Sequence, residues 1–455
     1  MDRREFLRLA GGAAAAAAFG GACGFGPDRS GAEAPDAKGG SGPGGGERTL
    51  RIAQWSHFVP AYDTWFDNEF ARQWGEQHDV EVIIDHIPFN EVTPRAGTEV
   101  ARGQGHDIFG FVWESAGRFE DQMIDHREIV EEVRARLGPM HPFVERAVFN
   151  PKTKKYVGFS DYWVPNLTHY RSDLWSQVGS VGGPARWDDV MQTGPRLKAM
   201  GHPLGLSMGV GDPDANVSLI GLLHAFGASI QDEDGNLALD RPATNDAVKF
   251  MTATYRSGMT DEVLSWDGTS NNRYLAGGTG SMILNPVSAI RAIEQQDPEL
   301  ASTIDLASLP AGPAGNQSPY LVGTNVIWKF SRNPEAAKQF LVDLALSSPE
   351  KLVRSEYYNL PSFPGAVPDL RDVVGTDPAG PPGRYALLAD AQTWTTNMGH
   401  PGHSNAAVEE VFDQALVVKM FAAAARGELS AEEAVKRAHD QAVPIFERWR
   451  EQGKI

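Results

Sequence analysis

Asp107-Ile-Phe-Gly-Phe-Val-Trp113 is a nearly unbroken apolar run with an acid at its head and Glu114 just beyond. It is too short for a typical helix and too apolar for a strand with one wet face. A strand buried on both sides, inside a sheet covered by helices, fits it. Upstream, Thr49-Leu-Arg-Ile-Ala-Gln-Trp55 alternates apolar and polar residues and predicts a strand, and Val80–Ile84 predicts another. Between them Phe66, Phe70 and Trp74 stand four apart, on one face of a helix. Downstream, Val248, Met251 and Tyr255 form a helical stripe, and Asn333-Pro334-Glu335 reads as an N-cap, an N1 proline and a first-turn acid. Ser430 with Glu433 predicts a capping box. This strand–helix alternation predicts an α/β architecture with largely parallel sheets. No internal repeat is present. A body of roughly 400 residues is too large for one core, so two lobes are expected.

The composition narrows the function. The chain has 455 residues, with 41 Lys+Arg against 59 Asp+Glu and a formal net charge of −18. Such a surface repels phosphate backbones and anionic lipids, which excludes nucleic-acid binding as an expected role. One cysteine excludes an internal disulfide framework and an all-Cys zinc site. Beyond the first twenty-odd positions no apolar run approaches the ~18 residues of a membrane span.

Those first positions read as an address. Met1–Cys23 carries Arg3 and Arg4, then a short Ala-rich stretch, then small residues before Cys23. The arginine pair followed by Glu5, Phe6 and Leu7 resembles a twin-arginine export signal. Gly20-Gly21-Ala22-Cys23 resembles a lipobox, with Gly20 where Leu is usual, so acylation of Cys23 is the expectation. Residues 24–48 are rich in Gly, Pro, Ser and Ala and predict a disordered tether with a span of roughly 25–30 Å. The expected location is the outer face of the cytoplasmic membrane, with the lipid as the sole membrane contact.

Aromatic residues carry most of the chemical information. Trp65, Trp74, Trp175 and Trp449 lie in helical patterns and read as core, and Trp187 stands at a helix entrance as a packed lid. Trp55 and Trp113 instead end predicted strands, where open α/β sheets place ligand crevices. His57 accompanies the first, Glu114 and Ser115 the second, and Asp161-Tyr162-Trp163 forms a third cluster. A sugar offers C–H faces for rings to stack on and hydroxyls for carboxylates, amides and imidazoles to bond. Catalytic patterns are weak. Gly205-Leu-Ser207-Met-Gly209 matches G-x-S-x-G, but Val210-Gly-Asp-Pro-Asp214 continues a loop where a helix is required. A secreted serine hydrolase using Ser207 is therefore the alternative from another class, and a binder of a non-sugar solute is a second. His400 and His403 read as a loop pair without metal, and Asp234-Gly235 as a hairpin turn. No cofactor and no metal are expected.

Several stretches together resemble the sugar-binding group of the extracellular solute-binding proteins of ABC importers. They are Val164-Pro165 with Thr168 to Trp175, Pro184 to Val190 with Arg186 in place of the usual Thr, and Asp234-Gly235-Asn236 with Asn245-Asp246-Ala247. Tyr274 to Met282, Val322-Gly323-Thr324 with Asn333 to Ala337, Tyr358 to Pro361 and Ala424 to Ala434 complete the series, which runs from about Thr49 to the end. The resemblance implies a two-lobed venus flytrap of the type II periplasmic-binding fold. Lobe 1 would hold 49–162 and 319–360, and lobe 2 would hold 163–318 and 361–455. It implies a monomer that delivers a small-molecule ligand, a carbohydrate, to ABC permease subunits, with no catalysis. Ligand contacts implied by the resemblance are Trp55, His57, Trp113, Glu114, Asp161, Tyr162, Trp163, Asn285, Thr324 and Asn325. Asn285-Pro286 replaces a Trp common in such binders, so a stacking platform is lost there or supplied by Trp266 or Trp394.

Overall fold

The computed structural model describes residues 48–114, 116–377 and 380–455. The expected export signal, Cys23, the expected tether up to Glu47, and Ser115 lie outside the described residues. Strand β1 (Thr49–Trp55) pairs in parallel with β2 (Glu81–Ile87) along its whole length, from Thr49 opposite Glu81 to Trp55 opposite Ile87. On its other side lies β3 (Ile108–Phe111), also parallel, with all four residues buried. The apolar run around Phe109 is thus the interior strand that its composition predicts. Asp107 pins the edge of this sheet. Its Oδ2 accepts the N–H of Arg51, and its Oδ1 accepts from the Ser331 hydroxyl and the N–H groups of Arg332 and Asn333.

The chain leaves this half through β4 (Tyr162–Val164) and enters a second sheet. There β5 (Leu167–Arg171) lies between β6 (Met282–Asn285) and β7 (Ile304–Ala307). It returns through β8 (Leu321–Val322) and adds β9 (Thr324–Ile327) to the first sheet, Thr324 opposite Phe111. A third crossing is β10 (Leu360–Pro361). Strands β8 and β10 flank β4, both antiparallel, with Leu321 opposite Val164 and Leu360 opposite Trp163. This three-stranded ribbon joins the two halves.

The second sheet corrects one expectation. Both β6 and β7 run antiparallel to β5, and β9 runs antiparallel to β3, so within these two sheets β1, β2 and β3 form the parallel set, while a separate short parallel pair joins Ser318–Pro319 to Thr395–Thr396. Strand–helix alternation records that helices intervene between strands. It does not record direction, because the helices Trp187–Ala199, Pro213–Ala225 and Pro242–Gly258 can return the chain to either end of the sheet.

Helices cover the sheets where the apolar stripes predict. Phe66, Phe70 and Trp74 fall in one helical stretch, Pro60–His78, whose middle is a π-turn at Phe66–Ala71. All three rings surround Phe340 of helix Pro334–Leu346, at 5.1–6.0 Å, and the Trp74 indole donates to Asp343 at 2.9 Å. Asn333 precedes that helix as predicted, but its side chain donates to the Thr49 carbonyl instead of capping. The box at Ser430 is complete, and helix Ala431–Glu451 follows it. That helix and Leu416–Arg426 lie against Pro242–Gly258, so the C-terminal segment builds on the second half. Among the described residues no helix is long and apolar enough to cross a membrane.

Candidate functional site

Between the halves lies a cleft of about 290 Å³. One wall comes from loops at the carboxyl ends of the first sheet, where Phe58 follows β1 and Phe89-Asn90 follow β2. The opposite wall comes from the second half, with Asp214 in the first turn of helix Pro213–Ala225, Asp267 to Thr269 in a loop, Asn272 in the helix Ser270–Ala276 that follows it, and Asn285 ending β6. Tyr320, just before β8, closes the back. Strand ends and helix starts converge here because the parallel strands β1 and β2 leave their following loops on this side, and β6 ends on it from the second half. A wider, open depression of about 870 Å³ lies at the other end of the first sheet, beside Arg48, Arg72 and Glu76. Its walls come from one half only.

Asp214 organises the cleft floor. Its Oδ1 accepts from the Tyr320 hydroxyl at 2.7 Å, and its Oδ2 accepts from the side-chain amides of Asn271 and Asn285, each at 2.9 Å. Burial pushes its pKa upward. Asp212 caps the same helix by accepting the N–H of Asp214 at 3.0 Å, and burial together with the charge of Asp214 pushes its pKa up to about 8. Tyr320 also meets Trp113 edge-on at 5.5 Å, linking floor to first half.

Of the ten residues predicted from sequence, only Asn285 is among these walls. Trp55 and Trp113 stand one ring behind. Trp55 lies 5.4 Å from Phe58 and 6.4 Å from Phe89, and Trp113 lies 5.7 Å from Phe89. His57 stacks on Trp55 at 4.8 Å. Its Nδ1 accepts the N–H of Val59, which leaves Nε2 to donate to Asn359, and burial holds its pKa down at about 4. The Trp55 indole donates to the Tyr162 hydroxyl at 3.1 Å. Asp161, at the ribbon, forms a fully buried ion pair with Lys351 and accepts from the Asn325 amide at 3.0 Å. Thr324 donates to the Val322 carbonyl, and Trp163 donates to the Pro361 carbonyl while meeting Phe143 edge-on at 5.0 Å. Glu114 accepts from the N–H of Met398 and from the Ser404 hydroxyl, on the C-terminal segment. Trp266 is buried against Tyr274, and neither it nor Trp394 lines the cleft.

The sequence reasoning missed Phe58, Phe89, Asn90, Asp214, Asp267, Asn272 and Tyr320. For Phe58 and Phe89 a signal existed, since both directly follow strands and the strand-end rule that selected Trp55 applies to them equally. For Tyr320 none did. Ser207, His400 and His403 all lie in loops. The Ser207 oxygen accepts the N–H of Gly209 at 3.4 Å, and the next helix begins only at Pro213. His400 bonds Thr396 and His403 bonds the Phe149 carbonyl. Asp234-Gly235 sits in a tight turn, with Gly235 at φ 78° and Gln231 opposite Leu237.

The fold and sequence have clear relatives. A binding protein of Brucella abortus (strain 2308) is 22% identical over 308 residues, which is 65% of this chain and 71% of that one. The crystal structure of an ABC transporter solute-binding protein from Thermotoga lettingae TMO, bound with α-D-tagatose, superposes with a TM-score of 0.71 at 18% identity. It covers 88% of this chain and 100% of its own. A sugar transporter protein from Arthrobacter chlorophenolicus A6 with bound laminaribiose gives a TM-score of 0.72 at 18% identity, over 87% and 98%. Residues 58–350 match the family model described as bacterial extracellular solute-binding protein, so the chain, built from two α/β halves around an aromatic and polar cleft, belongs to that family.

Proposed function

We propose that this protein is the solute receptor of an ABC importer and holds a sugar or short oligosaccharide between its halves. The observation that carries this reading is the cleft itself, walled by Phe58, Phe89 and Tyr320 and edged by Asp214, Asn285 and Asn272. Rings of that kind take the C–H faces of a sugar, and the amides and carboxylates take its hydroxyls. The tagatose and laminaribiose named for its structural neighbours support the same class. The ribbon of β8, β4 and β10 is the hinge. Lobe 1 then comprises 49–162 with 319–360, and lobe 2 comprises 163–318 with 361–455. Closure about the ribbon presents a joint surface to the permease. The receptor acts as a monomer, exported through its twin-arginine signal and held by acylated Cys23, and it leaves its ligand chemically unchanged. Ser207 borders a space of only about 10 Å³, room for one water and not for an ester substrate.

A thermal-shift screen against mono- and oligosaccharides tests the reading. A ligand at 100 times its Kd adds about 2.7 kcal/mol and raises Tm by several degrees. Phe89→Ala is expected to weaken that response about tenfold or more in Kd. A response to amino acids or peptides alone, with every sugar silent, would refute the assignment.

A further inference from the structure

We propose that the cleft selects a solute carrying a positive charge, an amine-bearing sugar or polyol, with its ammonium group set against Asp214. This rests on the cleft being the solute site. Its walls include the carboxylates of Asp214 and Asp267 and no lysine or arginine among the described residues. Asp267 is partly answered by Arg273 at 3.4 Å and by the Thr269 and Ser270 hydroxyls. Asp214 has no such answer. Behind it Asp212 adds a second buried carboxylate, and the groups that act on the two are each other, amides and hydroxyls, with no cation.

Most other buried acids of the chain have a cation in reach; Asp107, bonded by a hydroxyl and three backbone N–H groups, is an exception. Asp161 has Lys351, Glu294 has Arg291 and Arg384, and Glu99 has Arg95 and His106. Even Glu114 and Glu409 feel Arg146 and Arg118. The start of helix Pro213–Ala225 supplies roughly half a positive charge, which is too little for two carboxylates. The phenols facing the pair, Tyr320 and Tyr358, are pushed well up and stay neutral. The charge left over at Asp212 and Asp214 is met either by a proton or by the guest. Asp214 already accepts three donors, so a sugar hydroxyl adds at most one bond, whereas an ammonium answers the full charge. The nearby rings add to this, because Phe58 keeps 43% of its surface exposed and an aromatic face attracts a cation. A net charge of −18 steers cations inward.

Titration calorimetry on matched pairs decides the matter: glucosamine against glucose, galactosamine against galactose, mannosamine against mannose, and glucamine against sorbitol. In every pair that binds, the amine is expected to bind about tenfold tighter or better at pH 7. Its binding should release a proton, read as heat that varies with the ionisation enthalpy of the buffer. Asp214→Asn is expected to reduce the preference to about threefold or less. Asp212→Asn, which leaves the cleft surface intact, should abolish the proton release. Equal or tighter binding of the hydroxyl member would overturn the proposal and leave the cleft reading standing. If no pair binds and Phe58→Ala and Phe89→Ala alter no solute response, the proposal and the cleft reading fall together.

Discussion

A carboxyl group buried without a bonded cation prefers its proton, and Glu114 is such a group. Burial lifts its pKa from the ordinary 4.5 to about 7, with the Ser404 hydroxyl and the Met398 N–H only partly opposing. The folded chain therefore holds a proton that the unfolded chain has lost, between about pH 4.5 and 7. Stability from this group is full below that window and declines as pH rises through it, by roughly 3 kcal/mol at most. Glu114→Gln, which keeps an acceptor for Met398, is expected to flatten the dependence of Tm on pH between 5 and 8 and to raise Tm at pH 8. In the buried Asp161–Lys351 pair each charge is answered by the other inside the protein. Removing one charge by Asp161→Asn or Lys351→Met is expected to cost ~3–5 kcal/mol in denaturant unfolding, and the double variant distinctly less than the sum. Trp163 belongs with these structural residues. Trp163→Ala should cost ~3–5 kcal/mol of stability, and in protein that remains folded the ligand Kd should change little, because the ring packs on Phe143 and away from the cleft.

The connecting ribbon explains a glycine that its family motif contains. A Cβ on Gly323 would stand 2.2 Å from the Tyr162 ring. That ring carries the Trp55 bond and lies 6.0 Å from the Lys351 ammonium. Gly323→Ala is expected to cost about 1–3 kcal/mol, read as a lowered Tm, through displacement of Tyr162. The last helix offers a smaller and cleaner test. Ser430→Ala removes the hydroxyl that accepts the Glu433 N–H at an exposed helix start, leaving the Ser430 N–H bonded to the Glu433 carboxylate, and should cost ~1 kcal/mol with ligand binding unchanged. Elements such as this helix were legible beforehand because the evidence for them is local: a cap at a fixed offset, a stripe every third or fourth residue. The direction of the second sheet was not, because nothing local encodes it.

Across the whole molecule the halves clasp reciprocally. Glu114 of the first accepts from Met398 and Ser404, while Glu409, on the C-terminal segment, accepts the N–H groups of Gly117 and Arg118 at 3.1 and 3.2 Å. Lys454, near the chain end, reaches Asp121 at 2.5 Å. This seam is why Glu114 faces the C-terminal segment and does not line the cleft. From its sequence alone the protein's class followed: buried strands between helical stripes, a chain too long for one core, and short motifs in a family's order. Each of these depends on neighbours a few residues apart. Which aromatic ring lines the cleft was decided only when two distant stretches came together. Trp55 ends the first strand and Phe58 follows three residues later, and the placement of the second half selects Phe58 for the cleft and seals Trp55 behind it. Asp214 and Tyr320, far apart in the chain, meet at the floor for the same reason: a cleft is a property of two surfaces, and neither surface by itself specifies the gap.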